Sequence, residues 1–183
     1  MKWLYFCVLS ILFLLTPFQQ GLYFSDDFYV YGFILSILML VILIRIFLYQ
    51  EFDSIKPVLF LLLLPFCRIL SLFVAESFEG TWNEIIRWAT YIFFFISLFW
   101  AAQNGSIKKW MPVVFQLAGI AISLYMLMVY FECIDDPDAF TLGRFASVFQ
   151  YSNTFGIVMA AFYLFSLGQL LREKLSKIHI FFY

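Results

Sequence analysis

Apolar runs long enough to cross a bilayer as helices, roughly 20 residues each, follow one another along this chain. In hydrocarbon no water satisfies the backbone, so each run must hydrogen-bond within itself, as a helix does. Of 183 residues, 64% are hydrophobic and only 13% are charged, and 26 are Phe. A soluble domain has about half apolar and about a quarter charged residues. One soluble core of this size cannot hide that excess. The sequence therefore predicts an all-α, polytopic transmembrane helix bundle formed by residues 1–183 as a single domain.

Taken in order, the first span is expected at Trp3 to Gln20, with Pro17 near its end, where a lost backbone bond is tolerated. A polar turn, Gln19 to Asp27, leads to a second span from Phe28 to Tyr49. Pro57 stands at the favoured first position of a third span that reaches Ala75 and is kinked at Pro65. A loop from Glu76 to Asn83 precedes a fourth span from Glu84 to Ala102. Asn104-Gly105 marks a tight turn, and the fifth span runs from Trp110 to Phe131 with Pro112 in its first turn. An acidic loop, Glu132 to Arg144, leads to a sixth span from Ser152 to Leu171. Ile178 to Tyr183 reads as the opening of a seventh span cut short, giving about six spans and the start of another by the length criterion.

Charge placement orients this layout. Lys2, Arg45, Lys56, Lys108, Lys109, Arg172, Lys174 and Lys177 fall on one side. Most of the acids, among them Asp26, Asp27, Glu79, Glu84 and Asp135, fall on the other. Basic residues concentrate on the cytoplasmic side of membrane proteins, so the amino terminus is expected inside. The run from Trp3 to Ser25 carries no charge and no small-residue cleavage site, so it is read as a retained span rather than a signal peptide. Trp82, Trp88, Trp100 and Trp110 lie near expected interfaces, as aromatic belts do. Cys7, Cys67 and Cys133 are odd in number and far apart, and read as free thiols acting as small hydrophobes. No basic tract points to nucleic acid, and no phosphate loop, nucleophile elbow or zinc spacing is present.

One segment departs from the lipid-facing pattern. Gly143 to Ala160 puts Arg144, Gln150, Tyr151, Ser152 and Asn153 at the mouth of an apolar helix. Polar groups at membrane depth are costly and usually line a site or meet a partner. Arg144 stands on the external side, against the charge bias. Its planar guanidinium matches phosphate oxygens, but a salt bridge to Asp135, Asp136 or Asp138 would also account for it. Ser152 or Asn153 is expected to cap the helix, and free N–H groups at such an end favour an anion. Arg68 and Arg87 are secondary candidates, with Glu76, Glu79 and Glu84 as the expected ion-pair partners and Arg68 turned toward the bundle interior or water. Asp135, Asp136 and Asp138 read as a solvated turn rather than a cation site. His179, the sole histidine, is on the opposite side and takes no role.

From Arg144 the chain reads arginine, phenylalanine, alanine, serine, valine, phenylalanine, glutamine, tyrosine, serine, asparagine, ending at Asn153. This resembles the O-antigen ligase and oligosaccharide polymerase family of bacterial membrane proteins. Their external pattern is an arginine, a hydrophobic residue, any residue, then glycine or serine. After another free position come phenylalanine, any residue, asparagine or tyrosine, any residue, and asparagine. Ser152 stands where proline is often found. The resemblance implies a multi-pass protein of the bacterial plasma membrane in cell-surface polysaccharide assembly. Its ligand would be an undecaprenyl-diphosphate-linked glycan, with no cofactor and no metal. Arg144 would contact the diphosphate, and Gln150, Tyr151 and Asn153 would shape the pocket. Family members carry a later, large external loop with an important histidine, and nothing here corresponds to it. The chain is thus expected to be an incomplete family domain that binds lipid diphosphate, with enzymatic activity left open and no catalytic residue assigned. The alternatives are a transporter or flippase half, marked by a broken helix at the membrane midplane near Pro65 and Arg68, and a non-enzymatic scaffold in which Arg144 simply pairs with an acid.

Overall fold

A computed structural model describes residues 1–22, 25–49, 55–75, 77–141, 143–149 and 151–172. Six α-helices carry the chain: α1 (Lys2–Leu15), α2 (Ser25–Tyr49), α3 (Leu63–Ser71), α4 (Phe78–Ala101), α5 (Gly105–Tyr130) and α6 (Ser152–Arg172). A two-stranded ribbon, β1 (Phe140–Thr141) and β2 (Arg144–Phe145), lies between α5 and α6 in sequence. Five segments are long and apolar enough to cross a membrane: Lys2–Gln19, Phe28–Tyr49, Phe78–Ala101, Gly105–Tyr130 and Ser152–Leu171. Much of their apolar surface is exposed, from Phe33 and Phe47 to Tyr163 and Leu171, and only a bilayer solvates such a surface favourably. The protein is an all-α, multi-pass membrane protein.

The chain divides into two compact units. The first comprises Met1–Leu12 and Leu22–Lys108. Its spine is α2 against α4. The two backbones approach where α2 has no side chain: a Cβ on Gly32 would stand 2.8 Å from Thr90 Oγ1. Small residues let membrane helices meet this closely. The hydroxyls at the contact satisfy themselves on their own helices, Thr90 Oγ1 donating to the Ile86 carbonyl at 2.8 Å and Ser36 Oγ to the Gly32 carbonyl at 2.7 Å. Two apolar clusters flank the contact. Leu9, Leu12, Phe28, Tyr31 and Leu35 form one, and Tyr5, Met39, Ile42, Ile46, Ile96 and Trp100 belong to the other.

The third expected span is wound differently from the others. Lys56–Leu62 is 3-10 helix, α3 follows, and Leu72–Val74 returns to 3-10 before Ala75 extends. Pro57 is in the first turn, as expected. Pro65, which lacks the N–H for a bond to Leu61, falls just after the change from 3-10 to α winding. The whole stretch packs on α4. Pro17 acts similarly: α1 ends at Leu15 and continues as 3-10 helix over Thr16–Leu22.

α4 starts earlier than expected. The Ser77 hydroxyl accepts from Gly80 N at 3.2 Å and caps a helix beginning at Phe78. Most of the expected loop Glu76 to Asn83 is therefore helix, and Arg87 lies well inside it instead of in the first turn. At the other end Asn104 accepts from Ser106 N at 3.0 Å and caps α5, which begins at Gly105. Pro112 consequently sits within α5, beyond its first turn.

The second unit comprises Phe13–Gly21 and Lys109–Tyr183. Its core gathers Ala118 and Ile122 of α5, Phe162 of α6 and Phe149 of the intervening loop. The Phe115 ring lies 4.6 Å from both Phe162 and Phe165. Gly119 makes the α5–α6 contact possible, since a Cβ there would lie 2.8 Å from Phe162 Cγ. Cys7, Cys67 and Cys133 are free and exposed. Gln150, Glu76, His179 and the Ile178 to Tyr183 run lie outside the described residues.

Candidate functional site

The loop between α5 and α6 is tied down at several points. α5 closes with Glu132 in the left-handed region at φ 57°. Cys133 N and Ile134 N then reach the Met128 carbonyl at 2.8 and 3.3 Å, so that carbonyl does not go unsatisfied. Asp136 anchors the next stretch. Its Oδ2 accepts from the Tyr125 hydroxyl of α5 at 2.5 Å, and its Oδ1 accepts from Asp138 N at 3.1 Å. The second bond caps the short 3-10 turn Pro137–Ala139.

The ribbon follows. Phe140 pairs with Phe145 and Thr141 with Arg144, and Gly143, just before β2, takes a positive φ of 73° that glycine adopts without strain. The paired rings of Phe140 and Phe145 lie 5.3 Å apart, and Phe145 also meets Tyr130 of α5 at 5.9 Å. Below the ribbon the Ala139 carbonyl accepts from both Ala146 N and Ser147 N, at 2.8 and 3.0 Å. Ala139 and Ala146 are fully buried, and Phe149 plugs the core. Arg144 thus projects from a short, anchored ribbon rather than from a free loop.

Arg144 is exposed, and β2 lies against α6. Among the described residues it makes no ion pair, so Asp135, Asp136 and Asp138 leave its guanidinium open. Asp136 is engaged instead by Tyr125 and the 3-10 turn. Tyr151 immediately precedes α6, and its carbonyl accepts from Phe155 N at 3.2 Å. Ser152 and Asn153 are the caps expected from the sequence; the helix starts one residue earlier than that role requires, and both stand inside its first turn. Tyr151 and Asn153 are exposed. Arg144 on the ribbon and Tyr151 and Asn153 at the start of α6 are thus all exposed, and the strand that carries Arg144 is in contact with α6.

Ser147 is the residue that sequence reasoning passes over. It is buried, its backbone has a φ of 53°, and its Oγ has no partner among the described residues. A non-glycine residue in this region costs roughly 1–2 kcal/mol, and a buried hydroxyl left unsatisfied adds to that. Strain and an orphaned polar atom together are features of functional sites. The available signal is the glycine-or-serine position of the motif, three residues after the arginine. Positive φ accounts for a small residue there.

The secondary candidates lie in the other unit. Arg87 Nη1 pairs with Glu84 Oε1 at 2.7 Å, and its guanidinium lies 5.0 Å from the Phe28 ring centroid. Arg68 is exposed, not turned into a bundle interior, and lies 5.9 Å from the Trp88 ring centroid. A groove of about 300 Å³ between α5 and α6 is lined by Gln116, Gly119, Ser123, Met159, Phe162 and Ser166 among others, and by none of the sequence-derived candidates. Among the described residues no group of three His, Cys, Asp or Glu side chains is placed to hold a metal ion.

Fold and site together define a multi-pass helical membrane protein with an anchored arginine beside the polar mouth of a helix. No family model, curated protein or solved structure matches the chain.

Proposed function

We propose that this chain is an O-antigen ligase- or polymerase-like protein of the bacterial plasma membrane. It acts on undecaprenyl-diphosphate-linked glycans in cell-surface polysaccharide assembly, with its amino terminus in the cytoplasm and the Arg144 junction outside. The observation that carries the reading is the exposed Arg144 guanidinium, fixed by the ribbon and free of any carboxylate among the described residues. Three aspartates stand nearby in sequence without engaging it. Such an arginine suits a ligand with phosphate oxygens, which the planar fork binds in bidentate fashion. The first N–H groups of α6 and the exposed Asn153 add donors on the same junction. The apolar face of α6 suits a prenyl chain lying alongside in the bilayer.

The reading also says what Ser147 is for. Its buried hydroxyl, without a partner among the described residues, sits three residues from Arg144 on a strained backbone, where a ligand oxygen would complete it.

The test is complementation. Cells lacking the protein receive the wild type, Arg144→Ala or Arg144→Lys. The expected result is accumulation of carrier-linked glycan and loss of surface polysaccharide with Arg144→Ala, and a partial defect with Arg144→Lys, which keeps charge and loses the fork. Unchanged glycan in the Arg144→Ala cells, at normal protein level, overturns the proposal.

A further inference from the structure

The first unit holds a second set of nitrogen donors short of acceptors among the described residues, distant in sequence from Arg144. Lys2 opens α1, Arg45 lies one turn before the end of α2, and Trp100 is next to last in α4. The three helix ends bring these side chains around one indole. Lys2 Nζ lies 5.2 Å from the Trp100 ring centroid, and the Arg45 guanidinium carbon lies 5.6 Å from it. Arg45 also faces the Tyr49 ring at 5.2 Å. Tyr5 packs edge-on against the same indole at 5.4 Å.

Two cations on one ring repel each other, and among the described residues neither has a carboxylate partner. The donors are short of acceptors as well. Trp100 is fully buried, and its Nε1–H has no partner among the described residues. Arg45 Nε is buried and likewise without a partner. Arg45 Nη1 finds only the Met1 thioether sulfur, at 2.9 Å, and sulfur is a weak acceptor. Buried polar groups in a native protein are normally satisfied, and the exceptions call for a missing partner. Lys2 and Arg45 are only half-buried, so an anion arriving from outside can meet both charges without displacing the buried indole.

We infer that the Lys2–Arg45–Trp100 cluster binds a phosphate group, and that an anionic phospholipid headgroup supplies it. The position decides the source. Lys2–Gln19, Phe28–Tyr49 and Phe78–Ala101 are all apolar enough to span, and the cluster sits at one end of each. That end of a span meets the headgroup layer, where Trp and Tyr collect and where anionic lipid draws basic side chains. A phosphodiester there is local and concentrated, and its acyl chains lie against the exposed apolar faces of Leu40, Ile44 and Phe47 on α2. The cluster uses none of the residues of the proposed glycan site, so either reading stands without the other.

The test uses the full chain in phosphatidylcholine nanodiscs, with or without phosphatidylglycerol, and in a third arm with inorganic phosphate instead. Melting temperature and lipid retained in native mass spectrometry are read. Phosphatidylglycerol should raise the melting temperature and be retained with the chain. Lys2→Gln/Arg45→Gln should lower its retention about tenfold, the effect of losing one charge-assisted bond. Arg45→Lys, which keeps the charge and the fold but loses Nε and the fork, should lower it several-fold. Lys108→Gln, an exposed basic residue outside the cluster, should leave it unchanged. Retention unaffected by Arg45→Lys and the double variant, or equally reduced by Lys108→Gln, overturns the site. Equal protection by inorganic phosphate overturns the lipid as its source.

Discussion

Replacing Gly32 by alanine tests the packing on which the first unit is built. In an open helix this change stabilises by about 1 kcal/mol, because alanine has the higher helix propensity. At Gly32 the new Cβ would lie 2.8 Å from Thr90 Oγ1, inside any normal contact. Thr90 cannot simply rotate away. Its side chain is β-branched and buried, and its hydroxyl is held by the Ile86 carbonyl at 2.8 Å. Relief therefore breaks that bond, at about 1 kcal/mol, or pushes α2 from α4, at about 1–3 kcal/mol for an overpacked contact. After the propensity gain is subtracted, Gly32→Ala should destabilise by up to about 2 kcal/mol, and stand about 1–3 kcal/mol below an open-site Gly→Ala change. Gly156→Ala is the internal control, since a Cβ there would meet nothing within 4 Å, and it should gain up to about 1 kcal/mol. Unfolding in mixed micelles titrated with dodecyl sulfate, followed by circular dichroism, measures both. Thr90→Ala removes the clashing atom, so adding it to Gly32→Ala should recover stability beyond additivity. Gly32→Ala as stable as Gly156→Ala would refute the close-approach argument.

Three further outcomes follow from the second unit. Gln116 is buried with its Nε2 unsatisfied among the described residues, so Gln116→Leu should be neutral or stabilising by up to about 2 kcal/mol in the same titration. Asp136→Ala removes both the cap on the Pro137–Ala139 turn and the Tyr125 bond; amide exchange across residues 137–147 should rise about tenfold or more, the equivalent of losing about one to two kcal/mol locally. Ser147→Gly relieves the positive φ and deletes the orphan hydroxyl, so it should stabilise by about 1 kcal/mol while weakening glycan-carrier binding, a trade expected of a functional site.

Hydropathy locates most of the long helices because a bilayer imposes length and apolarity directly. α2 and α6 fall within a few residues of the runs read from the sequence. Pro57 marks the opening of the third stretch, whereas Pro112 misplaces the start of α5, which Asn104 caps at Gly105. The start of α4 is not legible, because the Ser77 cap and the first turn that it opens are polar, and polarity there reads as loop. Nor does an apolar run say how tightly it is wound, so the 3-10 turns on either side of α3 leave no trace in composition. At the candidate site the residue types are legible and their relations are not. Whether Arg144 meets an aspartate depends on Asp136 being held by Tyr125, a contact that joins α5 to the loop. The positive φ values of Glu132 and Ser147 are backbone facts that no side-chain pattern states outright. Likewise, the convergence of Lys2, Arg45 and Trp100 needs three helix ends to coincide in space.

The most direct measurement is the affinity of the chain in nanodiscs for undecaprenyl diphosphate, wild type against Arg144→Ala. Loss of a bidentate charge-assisted contact should weaken binding by about tenfold or more, with the melting behaviour of the two proteins unchanged, since Arg144 is exposed and unpaired among the described residues. Equal affinity for the two proteins would contradict the account.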